Sequence, residues 1–403
     1  MDIVIFRTVG LLAAAMIVAI LARRLRLPYT VGLVAAGAGL AAARVPSGLE
    51  LTHDFIFYAI LPPLLFEAGL AIHWNELRRD ALPVLTLATV GVVIAALVVA
   101  FGARALLGWP FASALVFGVL IAATDPVAVI AMFKDTGVKG RLRLLVESES
   151  LLNDGVAAVL FASVVGLAQA TGESASLPQA LQALAITAGG GTLVGVVVGG
   201  ACIAIAGRTP DRLVETGLTI IAAYGAFLLA EHVHVSGVLA TVAAGLLMGN
   251  VGVLNRRKEN RLALDAPDFV VEFWDFAAFI ANSLIFLLIG VTLATIPFAS
   301  LGLATLVVIV VLVLMGRALS VYPLCMMFAR TRWVVPLREQ HLLWWGGLRG
   351  ALALALALAL PPELAMRSEM VVATFGVVAF SVVVQGLTMA PFLKMLGLLP
   401  ERS

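Results

Sequence analysis

The stretch ESESLLNDGVAAVLF at positions 147–161 places Glu147, Glu149 and Asp154, together with Ser150 and Asn153, at the head of an otherwise apolar run. At about 100° per residue these five fall on roughly half of a helix's circumference, with Ser150 and Asp154 one turn apart, as are Glu149 and Asn153. Carboxylate, hydroxyl and amide oxygens grouped in this way suit a hard cation rather than zinc or copper. Glu147 reads as the mouth of the segment rather than as a ligand. A second acid lies upstream in IAATDPVAVIAMF. Pro126 lacks an N–H and drives the preceding residue away from helical angles, so a helix through this stretch should unwind at Thr124-Asp125. A carboxylate at such a break is either a cation ligand near a half-helix N-terminus or a neutral acid in a merely kinked helix. Two buried carboxylates, Asp125 and Asp154, can hold a cation or protons, because desolvation favours the protonated form and nearby positive charge opposes it.

Three further charges belong to apolar surroundings. In WWGGLRGALALALAL, three glycines around Arg349 make a helix easy to interrupt. Arg349 does not lose its proton at ordinary pH, and it is expected to pair with Glu149 and fix the charge of the site. Arg317, in LVLMGRALSVYPL, is either one half of an ion pair fastening two helices or a functional charge. Glu67, in LPPLLFEAGL, is equally a partner for Arg317 or a minor station on a cation path. Asn153 stands where a further acid could stand, which limits the titratable charge.

The elements that must position these residues follow from composition. Of 403 residues, 62% are hydrophobic and only 12% charged, which puts the chain in the membrane class. Thirteen apolar stretches are long enough to be spans: 3–22, 28–45, 54–73, 82–107, 112–133, 142–168, 178–206, 213–231, 235–253, 270–293, 299–328, 338–360 and 369–396. Basic residues gather after alternate stretches. Arg23, Arg24 and Arg26 follow the first, Arg78 and Arg79 the third, and Lys134, Lys139, Arg141 and Arg143 the fifth. Arg208 and Arg212 follow the seventh, and Arg256, Arg257, Lys258 and Arg261 the ninth. Arg330, Arg332 and Arg338 follow the eleventh, and Lys394 and Arg402 the last. Cytoplasmic loops carry such an excess, so the N-terminus is expected outside and the C-terminus in the cytoplasm. No secretory leader is expected, since the first basic cluster lies beyond the first apolar run.

The two interruptible spans occupy corresponding places in two halves, residues 3–168 and 213–396, with 178–206 as a linker. Such a pair points to an inverted-repeat secondary transporter whose substrate sits where the breaks meet. The expected fold is therefore all-α, a polytopic membrane protein with two interrupted helices.

With these residues in view, ATDPVAV, ESLLNDG and GGLRGALALAL resemble the three core signatures of the monovalent cation:proton antiporters, in particular the NhaP-type sodium/proton exchangers. The resemblance implies exchange of Na+ or Li+ for H+ with no cofactor and no enzymatic reaction. It implies a homodimer in a prokaryotic inner membrane, embedded in lipid. A core domain of 82–168 plus 299–396 would move like an elevator against a dimerisation domain made of the remaining helices. It also implies a ligand set of Asp154, Asp125, Thr124, Ser150 and Glu149, with Asp154 as the main carrier, Arg349 paired to Glu149, and an Asn153-Asp154 pair like that of electroneutral members. Potassium/proton exchange on the same fold is the alternative within the class. An intramembrane aspartyl protease using Asp125 and Asp154 is the alternative outside it, disfavoured by the Asp-Pro context and by Arg349. A nucleic-acid partner is not expected.

Some features call for less chemistry. Cys202 and Cys325 read as packing residues, and the glycines of GGGTLVGVVVGG as close helix contacts rather than a nucleotide loop. Trp274, with Glu272 and Asp275, reads as an interfacial anchor. His232 and His234 read as solvated turn residues.

Overall fold

The computed structural model describes residues 2–25, 27–44, 50–138, 140–169, 177–209, 211–253, 264 and 266–398. Of the basic residues used above, Arg26, Lys139, Arg256, Arg257, Lys258, Arg261 and Arg402 lie outside the described residues. Among the described residues there is helix and no strand.

Helix α1 (Asp2–Leu25) precedes α2 (Tyr29–Ala42), which starts after Pro28. A π-helical turn, Phe55–Ile60, runs into α3 (Leu61–Ala71), whose first turn absorbs Pro62 and Pro63 where no N–H is needed. Helix α4 (Trp74–Thr86) continues through another π turn, Leu87–Gly91, into α5 (Val92–Leu107). Gly108, at φ 70°, takes the left-handed conformation that ends α5. There follow α6 (Phe111–Ala122), α7 (Val127–Thr136), α8 (Arg141–Gln169), α9 (Leu177–Ala206), α10 (Arg212–His232), α11 (Gly237–Met248) and α12 (Pro267–Leu293). The chain closes with α13 (Phe298–Leu301), α14 (Leu303–Met327), α15 (Leu337–Trp345), α16 (Ala351–Leu358), α17 (Arg367–Phe380) and α18 (Gly386–Met395).

Among the described residues seven helical rods are long and apolar enough to cross a membrane, from Trp74–Leu107 to Arg367–Met395, and shorter apolar helices lie between them. Both expected interruptions are present: α6 stops at Ala122 and α7 starts at Val127, while α15 stops at Trp345 and α16 starts at Ala351.

Packing collects the helices into two groups. In one, α2 lies along α12, and α9, α10, α11 and α3 pack on one another. In the other, α5, α6, α8, α14, α16 and α17 surround the two interruptions. The α2–α12 contact is close enough that a Cβ at Gly37 or Gly290 would strike the facing backbone, at Leu287 and Val34 respectively. Gly191 and Gly195 of α9 do the same against Ser236 and Ala240, and a Cβ at Gly199 would press to 3.1 Å from Ala244, so GGGTLVGVVVGG is a packing seam. Cys202 and Cys325 are free and buried, as packing residues should be.

Trp274 departs from expectation. It is buried in the core beside Phe66, with ring centroids 4.6 Å apart, and its indole N–H donates to Thr219 Oγ1 at 2.8 Å. An aromatic with a polar edge suits a membrane interface and a partnered interior equally well, and here the hydroxyl of α10 decides the matter.

At one end of the bundle the basic loops meet. Arg141 at the head of α8 binds Asp80 of α4 at 2.8 Å and donates to the carbonyls of Val334 and Trp333, while the Trp333 indole donates to the Arg79 carbonyl at 2.7 Å. These contacts define the basic end of the molecule.

Candidate functional site

The two interruptions cross near the middle of α8. The non-helical residues 123–126 and 346–350 run against each other, and Asp125 N–H donates to the Leu348 carbonyl at 2.8 Å. Each broken helix leaves unsatisfied carbonyls at one stub and unsatisfied N–H groups at the other. An arginine meets each carbonyl end: Arg349 Nε donates to Ile121 O of α6 at 2.9 Å, and Arg317 donates to Leu343 O of α15 from Nε at 3.2 Å and from Nη2 at 3.0 Å. Asp125 meets the N-terminal ends, since its Oδ1 accepts from Val127 N–H of α7 at 2.9 Å and the Ala351 N–H of α16 is also directed at its carboxylate. Helix dipoles favour cations at carbonyl ends and anions at N–H ends, so three side chains neutralise four stubs. The glycines have a steric reason as well: a Cβ on Gly350 would collide with the Asp125 carboxylate, and one on Gly347 would come within 2.7 Å of Arg317 Nε.

Helix α8 braces the first break. Thr124 Oγ1 and Ser150 Oγ lie 3.0 Å apart, and Ser150 Oγ also donates to the Thr124 carbonyl. Asn153 Nδ2 donates to Thr124 Oγ1 at 3.1 Å and to Ala122 O at 3.3 Å. One turn on from Ser150, Asp154 comes within electrostatic reach of both Asp125 and Glu149. Its Oδ1 is buried and has no hydrogen-bond partner among the described residues.

A cavity of about 1040 Å³ reaches this point. Its wall includes Thr124, Asp125 and Asp154 on one side, and Tyr29, Glu67 and Asn282 on the other. Arg143, Glu147 and Asp275 line it toward the basic end, where Glu147 accepts from Arg143 Nε at 2.6 Å. Glu147 thus stands at a mouth, as the sequence suggested.

Two expectations are corrected. Arg349 does not pair with Glu149; its guanidinium is engaged by the carbonyls of Ile121 and Gly347. The partner of Glu149 is Arg317, which reaches it through two hydrogen bonds of 2.7 and 2.9 Å with both residues buried. This bidentate pair also removes Glu67 as the partner of Arg317. Both Glu149 oxygens are engaged by Arg317, and Glu149 is not among the residues that line the cavity. Helical spacing alone had grouped Glu149 with Asp154, but the two face different neighbours.

Sequence reasoning passed over Tyr29. It sits at the head of α2, lines the cavity, and lies within electrostatic reach of Asp125 and Glu67. Its position right after Pro28, at a helix start, was the available signal.

Comparison with known proteins agrees with this arrangement. The family described as "Sodium/hydrogen exchanger, transmembrane" matches residues 11–395. The chain is 40% identical to the Na(+)/H(+) antiporter ApNhaP of Aphanothece halophytica over 94% of this chain and 71% of that one. It is 35% identical to the Na(+)/H(+) antiporter NhaH of Halobacillus dabanensis, covering 96% of this chain and 97% of that one. The solved structure of the sodium proton antiporter MjNhaP1 from Methanocaldococcus jannaschii superposes with a TM-score of 0.77 at 20% identity, over 98% of this chain and 99% of that one, which establishes a shared fold. With its crossed half-helices and the match running almost end to end, the chain belongs to the sodium/hydrogen exchanger family, as an NhaP-type integral membrane protein.

Proposed function

We propose that this protein exchanges Na+ or Li+ for H+ across the membrane, with cation and proton competing for Asp154. The observation that carries the reading is the buried Asp154 Oδ1, which has no donor among the described residues and lies beside a break braced by Thr124 and Ser150. A lone buried carboxylate oxygen is stable with a cation against it or a proton on it, and poorly so with neither. Thr124, Ser150 and Asp125 supply the further oxygens a small alkali ion needs once its water is shed. The activities named for the relatives agree with this.

The charges at the crossing favour an electroneutral cycle. Glu149 is cancelled by Arg317, and Arg349 stands opposite in sign to Asp125. Asp154 remains, and one Na+ or one H+ neutralises it. Glu67 belongs to α3, on the facing wall. In this reading the body of 82–168 plus 299–396 travels against the remaining helices, the basic end is cytoplasmic, the chain crosses a prokaryotic inner membrane thirteen times, and two copies associate. The cavity opening toward Arg143 and Glu147 then gives the cytoplasm access to Asp154.

The test is a liposome assay with a pH-sensitive dye and a preset proton gradient. Addition of Na+ or Li+ should dissipate the gradient, and the response should vanish in Asp154→Asn. A wild-type protein that answers none of Na+, Li+ or K+ sinks the proposal, while a response to K+ alone reassigns the cation.

A further inference from the structure

The cavity opens toward one end, so something must close the other. Past its floor at Leu61 and Leu352, the π-helical turn Phe55–Ile60 packs against the half-helix α16. Ile56 and Ile60 of the turn are buried, as are Leu354 and Leu356 of α16. The turn belongs to the chain leading into α3, whereas α16 is the second stub of an interrupted helix, one end of which touches Asp125. A single side-chain hydrogen bond joins the two elements among the described residues: His53 Nδ1 lies 2.9 Å from the Ala355 carbonyl. For that contact Nδ1 must carry the ring proton. The ring is held by stacking on Phe57, with centroids 4.9 Å apart and planes at 24°, and Phe57 in turn packs edge-on against Phe227 of α10 at 5.1 Å. Glu231, one turn beyond Phe227, lies within electrostatic reach of His53 and holds its own place by accepting from Gly237 N–H at 2.8 Å.

We propose that His53 is a positioning residue that latches α16 to the Phe55–Ile60 turn and so holds shut the end of the molecule opposite the cavity. Three features converge on this. The bond joins a wall element to the half-helix whose N-terminal end meets Asp125. The donor ring is fixed by aromatic neighbours from outside α16. The wall element is a π-helical turn, a form that concentrates where helices serve a function. The role assigned to the latch rests on the alternating-access reading given above. For Asp154 to face the other compartment, α16 must part from this turn, and the His53 bond must break.

Two measurements on the full-length protein in liposomes test the latch. The first does not depend on transport: Leu352→Cys, at the cavity floor, is labelled with a membrane-impermeant maleimide applied from the face opposite the cavity mouth. Adding His53→Ala should speed this labelling about fivefold, the population shift expected from loss of one hydrogen bond. His53→Gln, which keeps a donor, should restore slow labelling. The second compares KM for Na+ offered from each face. In His53→Ala it should rise from the cavity face and fall from the opposite face, because only the balance between the two arrangements has changed. Unchanged labelling overturns the latch, whether or not the protein exchanges ions. Faster labelling with KM shifting in the same direction on both faces also overturns it, since that marks general loosening. Absence of cation-dependent pH change in the wild type would remove the transport reading, while the labelling result would still decide whether His53 holds this end closed.

Discussion

Asp154 carries an acceptor that nothing among the described residues satisfies, and an unmet buried acceptor costs about 1–3 kcal/mol. Replacing it by Asn removes the exchangeable charge but keeps the shape. Exchange is therefore expected to disappear in Asp154→Asn, while the melting temperature of the detergent-solubilised protein does not fall. Glu149 is expected to behave in the opposite way. Glu149→Gln leaves Arg317 as an uncompensated buried charge and should cost about 3–5 kcal/mol in thermal or denaturant unfolding. The double variant Glu149→Gln with Arg317→Met should recover most of that loss. If the single and double variants melt together, the pair is not the strut described here. The acids and arginines of this site were all visible in the sequence, but the pairing was not. Glu149 and Arg317 are 168 positions apart, and periodicity orders residues only within one helix.

At the scale of elements, the legible features were those with a strong local cause. Pro126 and the glycines around Arg349 announced both breaks, because backbone chemistry alone forces or permits them. The four π-helical turns among the described residues, at Phe55–Ile60, Leu87–Gly91, Gly249–Val253 and Ser381–Gln385, had no such signal, since their residues read as ordinary apolar helix. Trp274 was misread for a related reason: its partner on α10 cannot be seen from its own segment. The crossing itself yields a sharp test. A Cβ on Gly350 has no room beside the Asp125 carboxylate, so Gly350→Ala should cost about 1–3 kcal/mol of stability by overpacking. It should also raise KM for Na+ in the liposome assay, whereas Gly39→Ala, with open space around the new methyl group, should leave both unchanged.

At the scale of the molecule, the orientation rests on the alternation of basic loops and is open to direct labelling. A cysteine at Arg78 is expected to react with an impermeant reagent only in inside-out vesicles, and one at His234 only in right-side-out vesicles. The reverse pattern would place the cavity mouth on the exterior and invert the direction assigned to each half of the cycle. The α2–α12 seam bears on how that cycle is shared between the two groups of helices. With Gly37 and Gly290 bringing the two backbones together, that part of the molecule has no side-chain cushion to compress. It behaves as a keel. The give required for an ion to pass must come from surfaces elsewhere, and thickening either glycine should register as a weaker hull long before it alters which ion is carried.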